Sequence, residues 1–410
     1  MTLNISLLFG LLLAGSLSGN PLDNTALDAI RSEATRNHPS AKAAANRTAA
    51  AAEEVRAVRL WDDPVAGVAF MAPRNPQMRR DEGDLMATVE IPLPKPGLYS
   101  ANLLKAGALL RAENETSIAV RLESGIQATL LAIELALADE TVRLSSGELE
   151  WLSEMEANAM EMSLDPLKTS IDPIRLTAEK IRLEQSVAAS RRTREGLARQ
   201  LNIVMGKSLD HSWPTLSLPV NPPPVPLAAS EIARIPYANP RVRAMAQMQD
   251  AAAADVQITD RERLPSISAG IETRGYSGDG YRSTTLGLKM SLPWFNRENY
   301  QAKVDAAKFR TQAAAADTET LRREIASQVV VAATEAANAA AQATAYAGEI
   351  RKKTIEANES IQASWINSKA PLTDLLESRR LLFSVDLEQR RFIAMQLAAI
   401  EKLNFLVPSR

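Results

Sequence analysis

The chain has 410 residues, a formal net charge of −2 and no cysteine, and alanine dominates its hydrophobic fraction. This composition excludes disulfides, thiol catalysis, a cysteine-linked lipid anchor and a cysteine-based metal site, and it gives no sign of nucleic-acid binding. The two histidines, His38 and His211, are isolated in the sequence. Neither a glycine-rich phosphate loop nor a nucleophile motif is present, so we predict no enzyme activity, no cofactor and no metal site.

The N-terminus has the pattern of a secretory signal peptide. An apolar run at 5–13 is followed by small residues, which predicts a signal peptide at 1–18 with cleavage near Ser18. The first cation is Arg31, so the usual positive start is missing, and a buried N-terminal helix is the alternative. No other stretch approaches the ~18 apolar residues of a transmembrane helix.

The rest of the chain contains two copies of one unit. Three pairs of prolines recur with 201 residues between the members of each pair: Pro39 and Pro240, Pro64 and Pro265, and Pro92 and Pro293. This spacing predicts a first structural repeat at 22–206 and a second at 231–407, joined by a proline-rich linker at 207–230. We expect Pro39 at a helix break or in the first turn of a new helix.

Each copy contains a stretch in which apolar and polar residues alternate. The alternation predicts one β-hairpin at about 64–93 and another at about 265–293. One face of each hairpin is apolar and the other carries charge. That pattern fits a soluble antiparallel sheet, and it also fits a membrane barrel with lipid outside and water inside. Four strands cannot close a barrel, but several chains that contribute four strands each could.

Aromatic residues cluster near the ends of the predicted strands. Membrane barrels place aromatic side chains at both membrane interfaces, whereas ordinary packing at strand ends is the alternative explanation. The candidates are Trp61, Tyr276, Tyr281, Trp294 and Phe295.

The remaining segments are predicted to be helical, at 22–60, 100–162, 174–205, 298–367 and 372–406. A helix of ~60 residues is roughly 90 Å long and implies coiled-coil-like packing. The expected fold is therefore mainly α, with each copy formed by a helix, a hairpin, a very long helix, a turn and a long helix.

The turn before each copy's last helix resembles a motif of the TolC-type outer-membrane efflux proteins. In the second copy, WINSKAPLTDLLESR at 365–379 resembles the family's Tyr-x-x-Gly-x-x-x-x-x-Asp-Val-Leu-Asp-Ala pattern. In the first copy, PLKTSID at 166–172 resembles Gly-Leu-Val-x-x-x-Asp. The chain departs from these patterns at Trp365, where the family has tyrosine, and at Ser368 and Pro166, where it often has glycine.

The resemblance implies a homotrimer whose three chains form a twelve-stranded β-barrel in the lipid of the bacterial outer membrane and an α-helical tunnel in the periplasm. It implies the channel of a tripartite efflux system, which docks to a periplasmic adaptor (membrane fusion) protein and an inner-membrane pump of the resistance-nodulation-division type. The compact size favours the heavy-metal branch of the family. The alternatives are a type I secretion outlet and a soluble periplasmic coiled-coil scaffold or adaptor.

Acidic residues near the two turns are candidates for the pore and its gate. Asp374 and Glu377 lie three residues apart, so on a helix they share a face, and in a trimer each would form a ring of three carboxylates that favours cations. Asp172 is the corresponding acid of the first copy. The alternative is that these acids only stabilise helix N-termini. Asp172 and Asp374 are 202 residues apart, so the second copy is one residue longer between its hairpin and this turn.

The turn residues themselves are candidates for contact with the adaptor. They are Pro166, Leu167, Ser368 and Lys369. By resemblance they would touch the adaptor's end, and the alternative is that they are merely solvent-exposed turn residues.

Overall fold

The structure is a computed structural model that describes residues 20–70, 85–162, 171–220, 229–275, 282–367 and 369–406. Within these ranges the fold is mainly helical and contains two β-hairpins, which confirms the predicted fold class at that level. The predicted signal peptide at 1–18 lies outside the described residues.

The first copy begins with a capped helix and ends with two long helices. Its elements in chain order are β1 (Asn20–Pro21), α1 (Asn24–Asn37), α2 (Pro39–Ala57), β2 (Val65–Phe70), β3 (Leu85–Leu93), α3 (Leu98–Met162) and α4 (Ile171–Met205). Asp23 caps α1 because its carboxylate accepts a hydrogen bond from the backbone N–H of Ala26 at 2.8 Å. Pro39 opens α2, as expected for a residue that has no N–H to donate.

The second copy repeats this order after a short strand, β4 (Leu216–Ser217). Its elements are α5 (Ala229–Ala238), α6 (Pro240–Glu262), β5 (Ile267–Gly275), β6 (Arg282–Met290), a 3-10 turn (Pro293–Asn296), α7 (Arg297–Ala345), a π turn (Tyr346–Ile350), α8 (Arg351–Ile366) and α9 (Leu372–Leu406). Pro240 occupies the first turn of α6, and the Asn239 side chain caps that helix by accepting from the Arg241 N–H at 3.0 Å.

The two long helices differ between the copies. α3 is continuous over 65 residues. The single helix predicted at 298–367 is instead divided by the π turn, where Gly348 has a φ of −91° and a ψ of −118°. A π turn holds one more residue than an α-helical turn, and the second copy is one residue longer over this part of the repeat. Glycine is the weakest helix former after proline, so the departure from helical geometry falls at Gly348 at little cost.

The chain folds into two compact units, and both copies contribute to each. The sheet unit comprises Lys42–Val120 and Arg234–Ala326. Its four strands form one antiparallel sheet in the order β2-β3-β5-β6. The central pairing of β3 with β5 joins the hairpins of the two copies, in a register from Leu85 opposite Gly275 to Leu93 opposite Ile267.

The helical unit comprises Met1–Ala41, Arg121–Ala233 and Ser327–Arg410. Its larger core packs α1 against α3, α4 and α9 around buried side chains such as Leu27, Leu135, Leu201 and Ile393. A second core, which we name the turn cluster, lies near the ends of α3, α4, α8 and α9. The turn cluster consists of Leu152, Met155, Ala159, Leu176, Trp365, Leu372 and Leu375.

Part of the segment predicted as a linker is fixed to the helical unit. Buried Asn202 donates from its amide nitrogen to the His211 carbonyl at 2.9 Å and accepts from the Trp213 indole at 2.7 Å. Asp139 accepts from Arg194 and from the backbone N–H of Leu216, both at 2.9 Å. β4 then pairs in parallel with β1. Residues 207–218 are therefore held in place by buried, hydrogen-bonded polar groups.

None of the helices in the described part of the chain combines the length and the apolarity needed to cross a membrane.

Candidate functional site

One face of the four-stranded sheet is apolar and exposed. The strand register brings together on this face Ala66, Val68, Phe70, Leu85, Ala87, Val89, Ile91, Leu93, Ile267, Ala269, Ile271, Leu286, Leu288 and Met290. Every large side chain in this set is exposed, and Leu286 reaches 77%. Apolar patches of this extent on a protein surface mark contact with another protein or with a membrane.

The opposite face of the sheet carries paired charges. Lys289 lies 2.6 Å from Glu90, which also accepts a hydrogen bond from the Ser268 hydroxyl at 2.5 Å. Arg274 lies 2.5 Å from Glu272. Side chains alternate between the two faces of a strand. The strand register that gathers the apolar side chains on one face therefore gathers these ion pairs on the other. The alternation in the sequence therefore separated most apolar from charged residues, with Arg282 on the apolar face as the exception, and the pairing across strands came only from the structure.

The outer edges of β2 and β6 have no partner strand among the described residues. Unpaired edges present free backbone N–H and C=O groups, which are a template for pairing with another chain. Within the described residues the sheet is thus open at both sides, with one apolar and one charged face.

Aromatic side chains stand at the end of the sheet where the helices connect. Trp294 and Phe295 follow β6 in the 3-10 turn, with ring centroids 6.5 Å apart, and Trp61 precedes β2. All three are exposed. The other two predicted interface aromatics, Tyr276 and Tyr281, lie outside the described residues.

The predicted pore acids stand at the starts of two helices in the helical unit. Asp374 and Glu377 are both exposed on α9, and the intervening side of that helix buries Leu372 and Leu375 in the turn cluster. Neither acid has an ion pair among the residues that the structure describes. Asp172 is half-buried in the first turn of α4, and no hydrogen bond or ion pair within the described ranges links it to the other two.

Of the four predicted adaptor contacts, only Lys369 is described. Its side chain is exposed, and its backbone N–H donates to the Ser364 carbonyl at 2.8 Å, which closes the end of α8. Pro166, Leu167 and Ser368 lie outside the described residues.

Three arginines of α9 form ion pairs that connect the two copies within the helical unit. Sequence patterns did not predict a role for them. Arg379 lies 2.7 Å from Glu148 and Arg380 lies 2.6 Å from Glu179. Arg390 lies 3.8 Å from Glu140. The acids belong to α3 and α4 of the first copy, more than 200 residues earlier in the chain, so no local signal could have identified these pairs.

Glu148 is the most constrained of these acids. Burial raises the pKa of its carboxyl, and the neighbouring Arg379 acts in the opposite direction. The Arg379 guanidinium also lies over the Trp151 ring, 4.6 Å from its centroid. Nearby, a hydrogen bond from Lys180 and a second from Thr177 lower the pKa of the Glu156 carboxyl and tie α4 to α3. Ion pairs therefore connect α3 with α4 and with α9 next to the turn cluster.

Comparison with known proteins agrees with this architecture. Residues 236–407 match the family described as "outer membrane efflux protein". No protein of curated function matches the sequence.

Solved structures of channels match nearly the whole chain. The outer-membrane channel OprN has a TM-score of 0.81 at 16% identity, with 94% of this chain and 90% of that chain covered. CusC, whose structures describe transmembrane channel formation, has a TM-score of 0.81 at 14% identity, with 98% and 96% covered. The open state of the MtrE outer membrane channel of Neisseria gonorrhoeae has a TM-score of 0.74 at 17% identity, with 93% and 88% covered.

Each of these channels shares this chain's fold. Residues 236–407 match the outer membrane efflux protein family, and over nearly its whole length the chain has the fold of the TolC-type channels of the bacterial outer membrane, whose helices lie in the periplasm.

Proposed function

We propose that the chain forms the outer-membrane channel of a tripartite efflux system, a passive duct that receives its cargo from an inner-membrane pump through a periplasmic adaptor. The observation that carries this proposal is the two-faced sheet. Its exposed apolar face suits lipid, and its charged face suits a water-filled lumen. A passive duct needs no cofactor and no bond chemistry.

Three chains would form the channel as a homotrimer. The free edges of β2 and β6 would pair between neighbouring copies, so that three sheets of four strands close into a twelve-stranded barrel. Side chains fill the interior of a barrel of about 8 strands, and more strands leave open space. Trp61, Trp294 and Phe295 would then lie at the periplasmic interface of the membrane, where amphipathic rings are favoured.

The turn ends of the helices would meet the adaptor. Lys369 is exposed beside the turn cluster, which fixes the helix ends that surround it. By the resemblance, Pro166, Leu167 and Ser368 would share this contact. A rigid core directly below an exposed turn suits a docking surface, because little conformational entropy is lost on binding.

For the cargo we propose cations, and within them heavy-metal cations. Asp374 and Glu377 are exposed and have no ion pair within the described part of the chain, and rings of such carboxylates around a narrow opening favour cations. Similarity to CusC, one of several channels with the same fold, is compatible with this cargo and does not distinguish it from others.

Two other functions remain as alternatives. A type I secretion outlet would have the same sheet and tunnel but would pass proteins. A soluble periplasmic scaffold would have the helices without a membrane, and its sheet would face water on both sides.

Leu286→Arg is expected to prevent stable insertion of the sheet into a membrane. Leu286 lies in the middle rung of the apolar face, and an arginine at the bilayer midplane of a barrel costs about 2–4 kcal/mol. The fraction of protease-resistant protein in phosphatidylcholine vesicles should fall strongly. The matched control is Thr285→Arg, one residue away on the charged face and opposite Glu272, which should insert like the wild type. Equal behaviour of the two variants would indicate that water covers both faces and would support the scaffold.

Neutralising the exposed acids of α9 is expected to reduce cation selectivity. The measurement is the reversal potential in planar bilayers under a salt gradient. For Asp374→Asn/Glu377→Gln it should move toward the value of a nonselective pore. The reason is that the carboxylate rings would lie within a Debye length, about 10 Å at 0.1 M salt, of passing ions. Glu388→Gln, which removes an acid three turns further along α9 that is paired with Arg391, is the control. An unchanged reversal potential in the double variant would show that these acids serve only the helix N-terminus.

A further inference from the structure

The apolar face of the sheet changes character at one corner. At the last two rungs of the second hairpin it carries Thr273 opposite Thr284 and Gly275 opposite Arg282, and the two threonine hydroxyls lie 3.4 Å apart. The same rungs of the first hairpin carry only apolar side chains, which are Val68 opposite Ala87 and Phe70 opposite Leu85. We name Thr273, Thr284 and Arg282 the rim patch.

The rim patch lies at the end of the sheet that faces away from the helices of the sheet unit. α2, α3, α6 and the turn before α7 all connect to the strands at the opposite end. Because the helices of this fold lie in the periplasm, the rim patch faces the outer leaflet of the membrane. From Met290 to Arg282 the strand extends roughly 27 Å at about 3.4 Å per residue. At the ~40° tilt of barrel strands this covers about 20 Å along the membrane normal, which is most of the ~25 Å apolar band.

Arg282 differs from the other charged residues of the four strands. Glu90, Glu272, Arg274 and Lys289 lie on the opposite face and are paired with one another. Arg282 is exposed on the lipid side, and the described residues offer it no ion pair or hydrogen bond. Next to it, Gly275 contributes no side chain, and no atom of the described chain lies within 4 Å of where its Cβ would be.

An arginine at the border of a membrane that has no ion pair among the described residues favours an anionic partner. A guanidinium presents a planar fork of donors that matches the oxygens of a phosphate, and such charge-assisted hydrogen bonds are about twice as strong as neutral ones. The two threonine hydroxyls one rung deeper share one hydrogen bond with each other, so the pair retains one O–H that can donate to the same headgroup. Lipid tails would then lie along the aliphatic rungs below, where Ile271 and Leu286 are exposed.

We propose that the rim patch binds the phosphate of a phosphorylated lipid in the outer leaflet, with Arg282 as the main ligand and Thr273 and Thr284 in support. The proposal rests on the membrane placement of the sheet. It would give the second hairpin a specific lipid contact that the first hairpin lacks.

The test compares Arg282→Gln with Arg274→Gln, which removes the arginine of the neighbouring rung on the opposite face. Each protein is reconstituted in phosphatidylcholine vesicles that contain diphosphoryl lipid A or its dephosphorylated form, and the lipid retained after mild detergent extraction is measured by native mass spectrometry. Wild type and Arg274→Gln should retain the diphosphoryl lipid preferentially. Arg282→Gln should lose this preference by about tenfold, as expected for one charge-assisted contact.

Equal retention of the two lipids by the wild type, or an unchanged preference in Arg282→Gln, would overturn the proposal. Complete displacement of the lipid by 10 mM inorganic phosphate would also overturn it, since the site would then be a general anion site. Conductance in planar bilayers shows whether a negative lipid result contradicts only the rim patch or also the proposed channel function. A wild type without channels contradicts the channel, whereas a conducting Arg282→Gln that keeps its lipid preference contradicts the rim patch alone.

Discussion

Trp365→Ala is expected to loosen the turn end of the helical unit while leaving the rest of that unit folded. Trp365 is 2% exposed and belongs to the turn cluster, where it packs with side chains of α3, α4 and α9. Truncation of a buried tryptophan to alanine costs about 3–5 kcal/mol because the cavity collapses only partly. The cluster lies at helix ends, so the loss should appear as local opening rather than global unfolding.

Hydrogen–deuterium exchange measures this local opening. Amides of 365–378 should exchange faster by roughly two to three orders of magnitude, at about 1.4 kcal/mol for each tenfold change. The neighbouring Ile366 is exposed, so Ile366→Ala should change exchange little. Trp365→Tyr, which introduces the residue of the resembled motif, should retain most of the protection. Unchanged exchange in Trp365→Ala would show that the cluster does not hold the turn.

Arg379→Ala is expected to destabilise the helical unit by about 3–5 kcal/mol, because it leaves a buried carboxylate without its partner. The Glu148 side chain is only 14% exposed, and Arg379 supplies both its ion pair and a contact with the Trp151 ring. The adjacent Arg380 is the matched control. Its side chain is 56% exposed, so Arg380→Ala should cost about 0–1 kcal/mol although it also breaks an ion pair. Thermal unfolding followed by the helical circular dichroism signal of the detergent-solubilised protein compares the two.

The loss of stability caused by Arg379→Ala should depend on pH. Burial raises the pKa of Glu148 in the folded protein above its ordinary value of 4.5, so the folded state binds this proton more tightly than the unfolded state does. The stabilisation from this proton is complete below the ordinary pKa and is lost as pH rises through the raised pKa. Without Arg379 the pKa rises further, so the variant should approach wild-type stability near pH 4 and differ most at neutral pH.

Two outcomes would contradict this explanation. One is a stability difference between Arg379→Ala and the wild type that stays constant between pH 4 and pH 8. The other is a failure of Arg379→Ala/Glu148→Gln to recover a large part of the lost stability at neutral pH, since the neutral amide removes the buried charge that makes the single variant unstable.

Much of this fold could be predicted because its signals are local. Alternation along 85–93 and 267–275 located the strands and sorted their side chains onto two faces, since neighbouring residues of a strand point in opposite directions. Pro39 located a helix start, because proline is best tolerated in the first turn of a helix. The family resemblance came from a turn motif around Asp374 and is confirmed by the match over 236–407.

The candidate site was less predictable because its parts meet across the sequence. The acids of α9 became candidates through the turn motif and their spacing, whereas the ion pairs of the α9 arginines depend on which helices pack together. Glu148 and Arg379 are 231 residues apart, and neither stands out among the 96 charged residues of the chain before its burial is known. Arg282 is likewise one arginine among many until the strand register places it on the apolar face of the sheet.

The sequence by itself determined the two copies, the strands with their apolar and charged faces, and most of the long helices, since each depends on residues a few positions apart. Only the tertiary structure decided that β3 pairs with β5, so that both copies share one sheet, and that the arginines of α9 reach acids of the first copy. It also decided that the second long helix breaks at Gly348. These features depend on contacts between distant segments, whose energies arise only when the chain is packed.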